Sequence, residues 1–129
     1  MSFNKILPIL LLMFTFNANA EIPITESDLL GSWSIDKESI HRDGSDSKEL
    51  DTVWTFNDDG TMIGVSIDSQ KHARVGKFRA VLKYRIENGK LIKQVAPGRS
   101  KEEFCIAEEK DDSSMLLKCK NIYFFMTKK

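Results

Sequence analysis

Histidine is nearly missing from this sequence: His41 and His72 are the only two. Neither has a second ligand at a spacing such as His-x-x-x-His or Cys-x-x-Cys, so the common zinc arrangements are excluded. There is no Gly-x-Ser-x-Gly elbow and no Gly-rich turn leading into a helix, which removes the usual serine-hydrolase and phosphate-cradling motifs. Helical periodicity never lasts longer than one turn, and no internal repeat or low-complexity segment is visible. Paired acids such as Glu102-Glu103, Glu108-Glu109 and Asp111-Asp112 fall at turns and strand ends, where solvated charge is the ordinary explanation. No pocket of titratable groups is apparent, so the expectation is a protein that is not an enzyme and uses no cofactor or metal.

Long apolar runs are also scarce. The one candidate, Ile6 to Phe16, follows Lys5 and precedes the small residues Ala18-Asn19-Ala20. This order of charge, apolar stretch and cleavage site is that of a secretory signal peptide. A membrane anchor would need roughly 20 apolar residues, about twice what is there. Residues 1–20 are therefore expected to be removed and residues 21–129 to form one domain, periplasmic or secreted, with no membrane span.

Charge is balanced overall but unevenly placed. Glu21 to Gln70 holds twelve acids against Lys37, Arg42 and Lys48, whereas Lys71 to Lys101 holds ten bases against Glu87. Either neighbouring strands cancel these charges, the expected outcome in a sheet, or the molecule has a basic side able to steer an acidic partner.

What remains reads as a succession of strands and turns. Ser27 or Asp28 can cap a short helical turn that Gly31 ends, and Trp33 begins the first strand. Ser39 to Leu50 is polar and contains His41-Arg42-Asp43-Gly44-Ser45-Asp46, an exposed loop suited to a binding surface. Asp59-Gly60 as a two-residue turn sets Phe56 against Ile63, Trp54 against Val65 and Thr52 against Ile67. From Phe78 to Ile86 apolar and basic residues alternate strictly, giving a half-buried strand with Phe78, Leu82 and Tyr84 inside. Those aromatics lie opposite the bases, and stacking needs both on one exposed surface, so nucleic-acid binding is not expected. Asn88-Gly89 is a type I′ hairpin signal that pairs Ile86 with Leu91, Tyr84 with Lys93 and Leu82 with Val95.

Cys105 and Cys119 are the only cysteines, and an exported chain is expected to join them. They are symmetric about Asp112 in the turn cluster Lys110 to Ser114, which places Ala107 against Leu117 and Glu108 against Leu116. Eight strands follow in all: Ser32 to Asp36, Thr52 to Asn57, Met62 to Asp68, Lys77 to Glu87, Leu91 to Val95, Phe104 to Glu108, Met115 to Lys120 and Ile122 to Thr127. An all-β antiparallel meander of about eight strands can close into a small barrel.

Gly31-x-Trp33 after a short capped turn, Trp54-Thr55-Phe56-x-x-x-Gly60-Thr61 and Tyr84-x-Ile86-x-Asn88-Gly89-x-Leu91 together resemble a bacterial lipocalin-like domain, over most of residues 21–129. The resemblance implies a barrel closed at one end by Gly31 and Trp33 and open to a ligand at the other. Lipocalins keep an arginine late in the barrel that packs over this tryptophan; after Arg99 the present chain has only lysines, among them Lys118, Lys120 and Lys128.

The resulting expectation is an exported, non-catalytic binding protein of the bacterial envelope. Its partner is a small apolar molecule lined by Trp54, Phe56, Phe78, Leu82, Tyr84 and Leu117, or an envelope protein met by the loop residues His41, Arg42, Asp43 and Asp46. A barrel this short can also be filled by its own side chains. In that case the alternative is an inhibitor or immunity protein whose acidic loop blocks an envelope enzyme such as a cell-wall hydrolase.

Overall fold

Alternation of apolar and polar residues runs through nearly every strand of the chain, and it has one consequence: a single curved wall with one face hidden. The computed structural model describes residues 22–68 and 76–129. The segment read as a signal and the connection containing His72 lie outside the described residues. A one-turn helix α1 (Glu26–Leu29) precedes β1 (Gly31–Ser39), β2 (Lys48–Phe56), β3 (Thr61–Asp68), β4 (Gly76–Glu87), β5 (Lys90–Gln94), β6 (Glu102–Lys110), β7 (Ser114–Cys119) and β8 (Ile122–Lys128). Every strand pairs antiparallel with its sequence neighbour, and β1 pairs with β8 to close the barrel. Closure pairs both edges of the sheet, the standard protection against edge-to-edge association. The all-β eight-stranded meander read from the sequence is the fold observed.

Inside the wall Trp33, Ile35, Phe56, Met62, Leu91, Leu117 and Met126 are buried, joined from below by Ile24 and Leu29. The cysteines are directly paired across β6 and β7 and form the disulfide.

Several local expectations need correction. Thr25, rather than Ser27 or Asp28, caps α1: its Oγ1 accepts from the Asp28 backbone N–H at 3.1 Å, and Asp28 returns a carboxylate oxygen to the Thr25 N–H at 3.0 Å. The β2–β3 turn has three residues between Asn57 and Thr61, with Gly60 at φ 85°. That extra residue shifts the register by one, so Phe56 faces Met62, Trp54 faces Gly64 and Thr52 faces Ser66. Because strand side chains alternate, the slip sends Ile63 and Val65 to the outer face.

A bulge between Ala107 and Glu109 likewise pairs Leu116 with Glu109 rather than Glu108. Beyond it Lys110 pairs with the buried Met115. The β4–β5 ladder ends at Tyr84 and Lys93, because the Gln94 side chain accepts from the Lys83 N–H at 2.8 Å where a Leu82–Val95 rung would begin. The first long loop is shorter than its composition suggests. Lys37 pairs with Glu49 and Glu38 with Lys48, and opposite charges facing one another let polar residues stay in a ladder.

Charge cancellation is partial. Arg85 bridges Glu87 and Glu102, and Lys93 bridges Glu103. Lys77, Arg79 and Lys83 on the outer face of β4 have no acidic partner among the described residues.

Candidate functional site

One end of the barrel is sealed. The segment from Ile22 crosses beneath the wall: Ile22 bridges Ala107, the Ile24 N–H donates to the Gly89 carbonyl at 2.9 Å, and Leu29 is fully buried. Trp33 lies on this plug with its indole N–H donating to the Leu29 carbonyl at 2.9 Å. Lys128 packs over the same ring, its Nζ 5.1 Å from the centroid and 2.8 Å from the Leu30 carbonyl oxygen. The Lys128 ammonium thus occupies the position that the family resemblance gives to an arginine. Lys110 completes the seal by an ion pair to Asp28 at 2.6 Å, which with the Thr25 hydrogen bonds lowers the Asp28 carboxyl to a pKa of about 2.

The middle is filled. Phe124 and Trp54 lie 5.1 Å apart, Trp54 and Phe56 6.4 Å, and Phe56 and Tyr84 5.1 Å, an aromatic column from mouth to floor. The Tyr84 hydroxyl donates to the Asn57 carbonyl at 2.6 Å, and burial together with the nearby acids Glu26, Asp59 and Asp58 raises its pKa. Phe56, Tyr84 and Leu117 therefore sit in the packed core below the opening.

Above this column the barrel opens into a cleft of about 380 Å³ lined by Trp54, Met62, Gly64, Ser66, Phe78, Arg79, Ala80, Leu82 and Lys93. Three of the six residues read as ligand-lining meet here: Trp54, Leu82 and Phe78. Phe78 points to the inner side, as the alternation requires, but is 62% exposed. Its rung partner is Ser66, whose hydroxyl pairs with that of Thr52 at 2.9 Å, so no apolar neighbour covers it.

Gly64 leaves room for the Trp54 indole, which lies 3.5 Å from where a Cβ would stand. The indole N–H has no acceptor among the described residues, and it is not sealed away from solvent. Sequence reasoning passed over Lys93. Its side chain is only 8% exposed, it bridges Glu103 at 3.0 Å, and its Nζ stands 5.6 Å from the Trp54 ring centroid. The signal was available, since pairing Tyr84 with Lys93 already puts this lysine on the inner face.

The loop residues lie elsewhere. The segment 40–47 folds against the outer wall, where Arg42 bridges Glu108 at 3.3 Å and Glu109 at 3.4 Å. Ser39 holds it in shape, donating to the Ser45 carbonyl at 2.6 Å and accepting from the His41 N–H at 2.9 Å. Asp43 accepts from the Ser45 N–H at 2.9 Å, which lowers its pKa, and His41 lies 3.8 Å from Asp46. The disulfide is buried at both sulfurs' residues and stands apart from the cleft lining.

A closed eight-stranded meander with a tryptophan floor and one open mouth is a lipocalin-like barrel, and the protein has that fold. Among solved structures, a lipocalin-like protein from Bacteroides uniformis is similar at 16% identity and a TM-score of 0.61, over 79% of this chain and 99% of that one. An uncharacterized protein from Bacteroides eggerthii is similar at 13% identity and a TM-score of 0.60, over 78% of this chain and 99% of that one. At these identities the likeness is one of fold. No protein-family model matches the chain, and no curated protein matches it.

Proposed function

We propose that this is an exported, non-catalytic binding protein of the bacterial envelope that holds a small, mainly apolar molecule in the mouth of its barrel. The observation that carries the reading is the cleft beside Trp54: an opening of about 380 Å³ above a packed core, in the range of small-molecule sites. Its walls are apolar at Trp54, Met62, Phe78 and Leu82, with Lys93, Arg79, the Ser66 hydroxyl and the Trp54 N–H as the polar groups that would orient a guest. A non-catalytic role is in keeping with where the shifted carboxyls lie: Asp28 is lowered by Lys110 and Thr25 at the plug, Asp43, Asp59 and Asp111 by hydrogen bonds within their own turns and Glu102 by Arg85, all away from the cleft. Export is supported by the signal-like residues 1–20 and by a formed disulfide.

Titration with a fluorescent fatty acid tests it. One probe per chain is expected, with Leu82→Arg weakening binding about tenfold or more by filling the cleft with a desolvated charge. No binding, or equal binding by Leu82→Arg, contradicts the reading.

A second reading rests on the loop. An acidic segment already held in one shape loses little entropy when it enters a basic cleft, which favours an inhibitor or immunity role against an envelope enzyme. Pull-down from periplasmic extract followed by assay of the captured enzyme decides it: lost activity supports inhibition, and unchanged activity sinks it.

A further inference from the structure

The outer wall is not uniform, and the difference marks an interaction surface. Elsewhere its aromatic rings carry a lysine: Lys37 lies 4.8 Å over Phe125, Lys90 5.2 Å over Phe104 and Lys118 5.5 Å over Tyr123. The β2, β3 and β4 part of the outer wall carries an aliphatic band in place of such rings. Its rungs are Val53–Val65–Arg79 and Thr55–Ile63–Val81, with Ile67 opposite Lys77 at its upper end. Ile67 and Val81 are each 41% exposed, and Val53, Thr55, Ile63 and Val65 between them are half-buried. A contiguous band of β-branched residues on an outer wall is where association is expected.

The band's flanks carry opposite charge. On the β4 side stand Lys77 and Arg79, without acidic partners among the described residues; on the β2 side stand the exposed acids Glu49 and Asp51, of which Glu49 pairs in register with Lys37. Asp51 is one position beyond the Thr52–Ser66 pair, as Lys77 is one beyond Ser66–Phe78, so the two lie at one level on either side of β3. A twofold axis parallel to β3 brings β2 of one copy over β4 of the other at the same level. It sets each Asp51 against the other copy's Lys77 while the two bands meet between them. The alternative axis, across the strands, would oppose like charges.

We infer that the β2–β3–β4 face binds a second copy of this chain, making an isologous dimer with two Asp51–Lys77 pairs. The inference is independent of what the mouth holds.

Sedimentation velocity up to roughly 200 µM, well above a micromolar Kd, reads it directly. The unmodified chain is expected to form dimers, and Asp51→Lys and Lys77→Glu are each expected to weaken them tenfold or more. Mixing the two variants in equal amounts restores both pairs in the mixed dimer, so dimers should return at the unmodified affinity. Circular dichroism confirms that each variant is folded. A monomeric unmodified chain, variants that dimerise normally, or a mixture that stays monomeric overturns the inference.

Discussion

Lys128 illustrates what one residue does in this fold. Read along the chain it is a terminal cation among several, yet it roofs Trp33 and satisfies the Leu30 carbonyl left free at the end of the plug. The sequence carried no local sign of this, since the partner lies about a hundred residues away. A cation over a desolvated indole, together with a hydrogen bond to a carbonyl, is worth about 1–2 kcal/mol. Lys128→Ala should lower urea stability by that amount and Lys128→Arg should retain most of it; an unchanged midpoint for Lys128→Ala would deny the roof its role. Asp28 gives a pH signature. Its carboxyl falls from 3.8 to about 2 in the folded state through hydrogen bonds from Lys110 and Thr25. A depressed folded pKa adds stability that is complete above pH 4 and disappears as pH falls through about 2. With the side chain 32% exposed, solvent screening holds the gain near ~1 kcal/mol. Asp28→Asn should flatten the acid limb of the stability curve between pH 4 and 2, and an unaltered limb would show that the ion pair contributes nothing.

Among the elements, hairpins set by chemistry stronger than pattern were the most legible. The two cysteines and the turn cluster around Asp112 agreed on one register for β6 and β7, and the structure has it up to the bulge at Glu108. Asn88-Gly89 fixed β4 on β5 in the same way, with Gly89 at φ 76°. Asp59-Gly60 misled by one residue, because a glycine with positive φ serves equally as the last residue of a three-residue turn, and the alternation on β3 points the wrong way, its outer face (Ile63, Val65, Ile67) being more apolar than its inner one (Met62, Gly64, Ser66). Ile63 and Val65 were thereby expected inside, and their true place outside is what creates the aliphatic band on the outer wall. The disulfide's contribution is measurable. Closing a loop of about 15 residues is worth about 3 kcal/mol on the chain-entropy model, and burial adds the cost of repacking if it is lost. Cys105→Ala with Cys119→Ala should lower the unfolding free energy by about that much with the barrel intact by circular dichroism, and a loss below about 1 kcal/mol would contradict the staple.

For the molecule as a whole, the division into a sealed floor, an aromatic column and an open mouth follows from strand lengths and from where the chain enters. The N-terminal segment can cross only one end, so the end beneath Trp33 is shut and the end above Trp54 is left to solvent. The closed meander was readable from alternation and turns. The depth of filling was not, since it depends on how Trp54, Phe56, Tyr84 and Phe124 meet across strands far apart in sequence. Trp33 and Trp54 are partners on one rung of β1 and β2, but Trp33 rests on the plug and Trp54 lines the cleft, so acrylamide quenching of single-tryptophan variants reads the two surroundings separately. The account predicts that Trp54, observed in Trp33→Phe, is quenched readily and is protected when the fatty-acid probe binds, whereas Trp33, observed in Trp54→Phe, is barely quenched with or without probe. Equal quenching of both, or a shielded Trp54 in the free protein, would contradict a barrel open at that end.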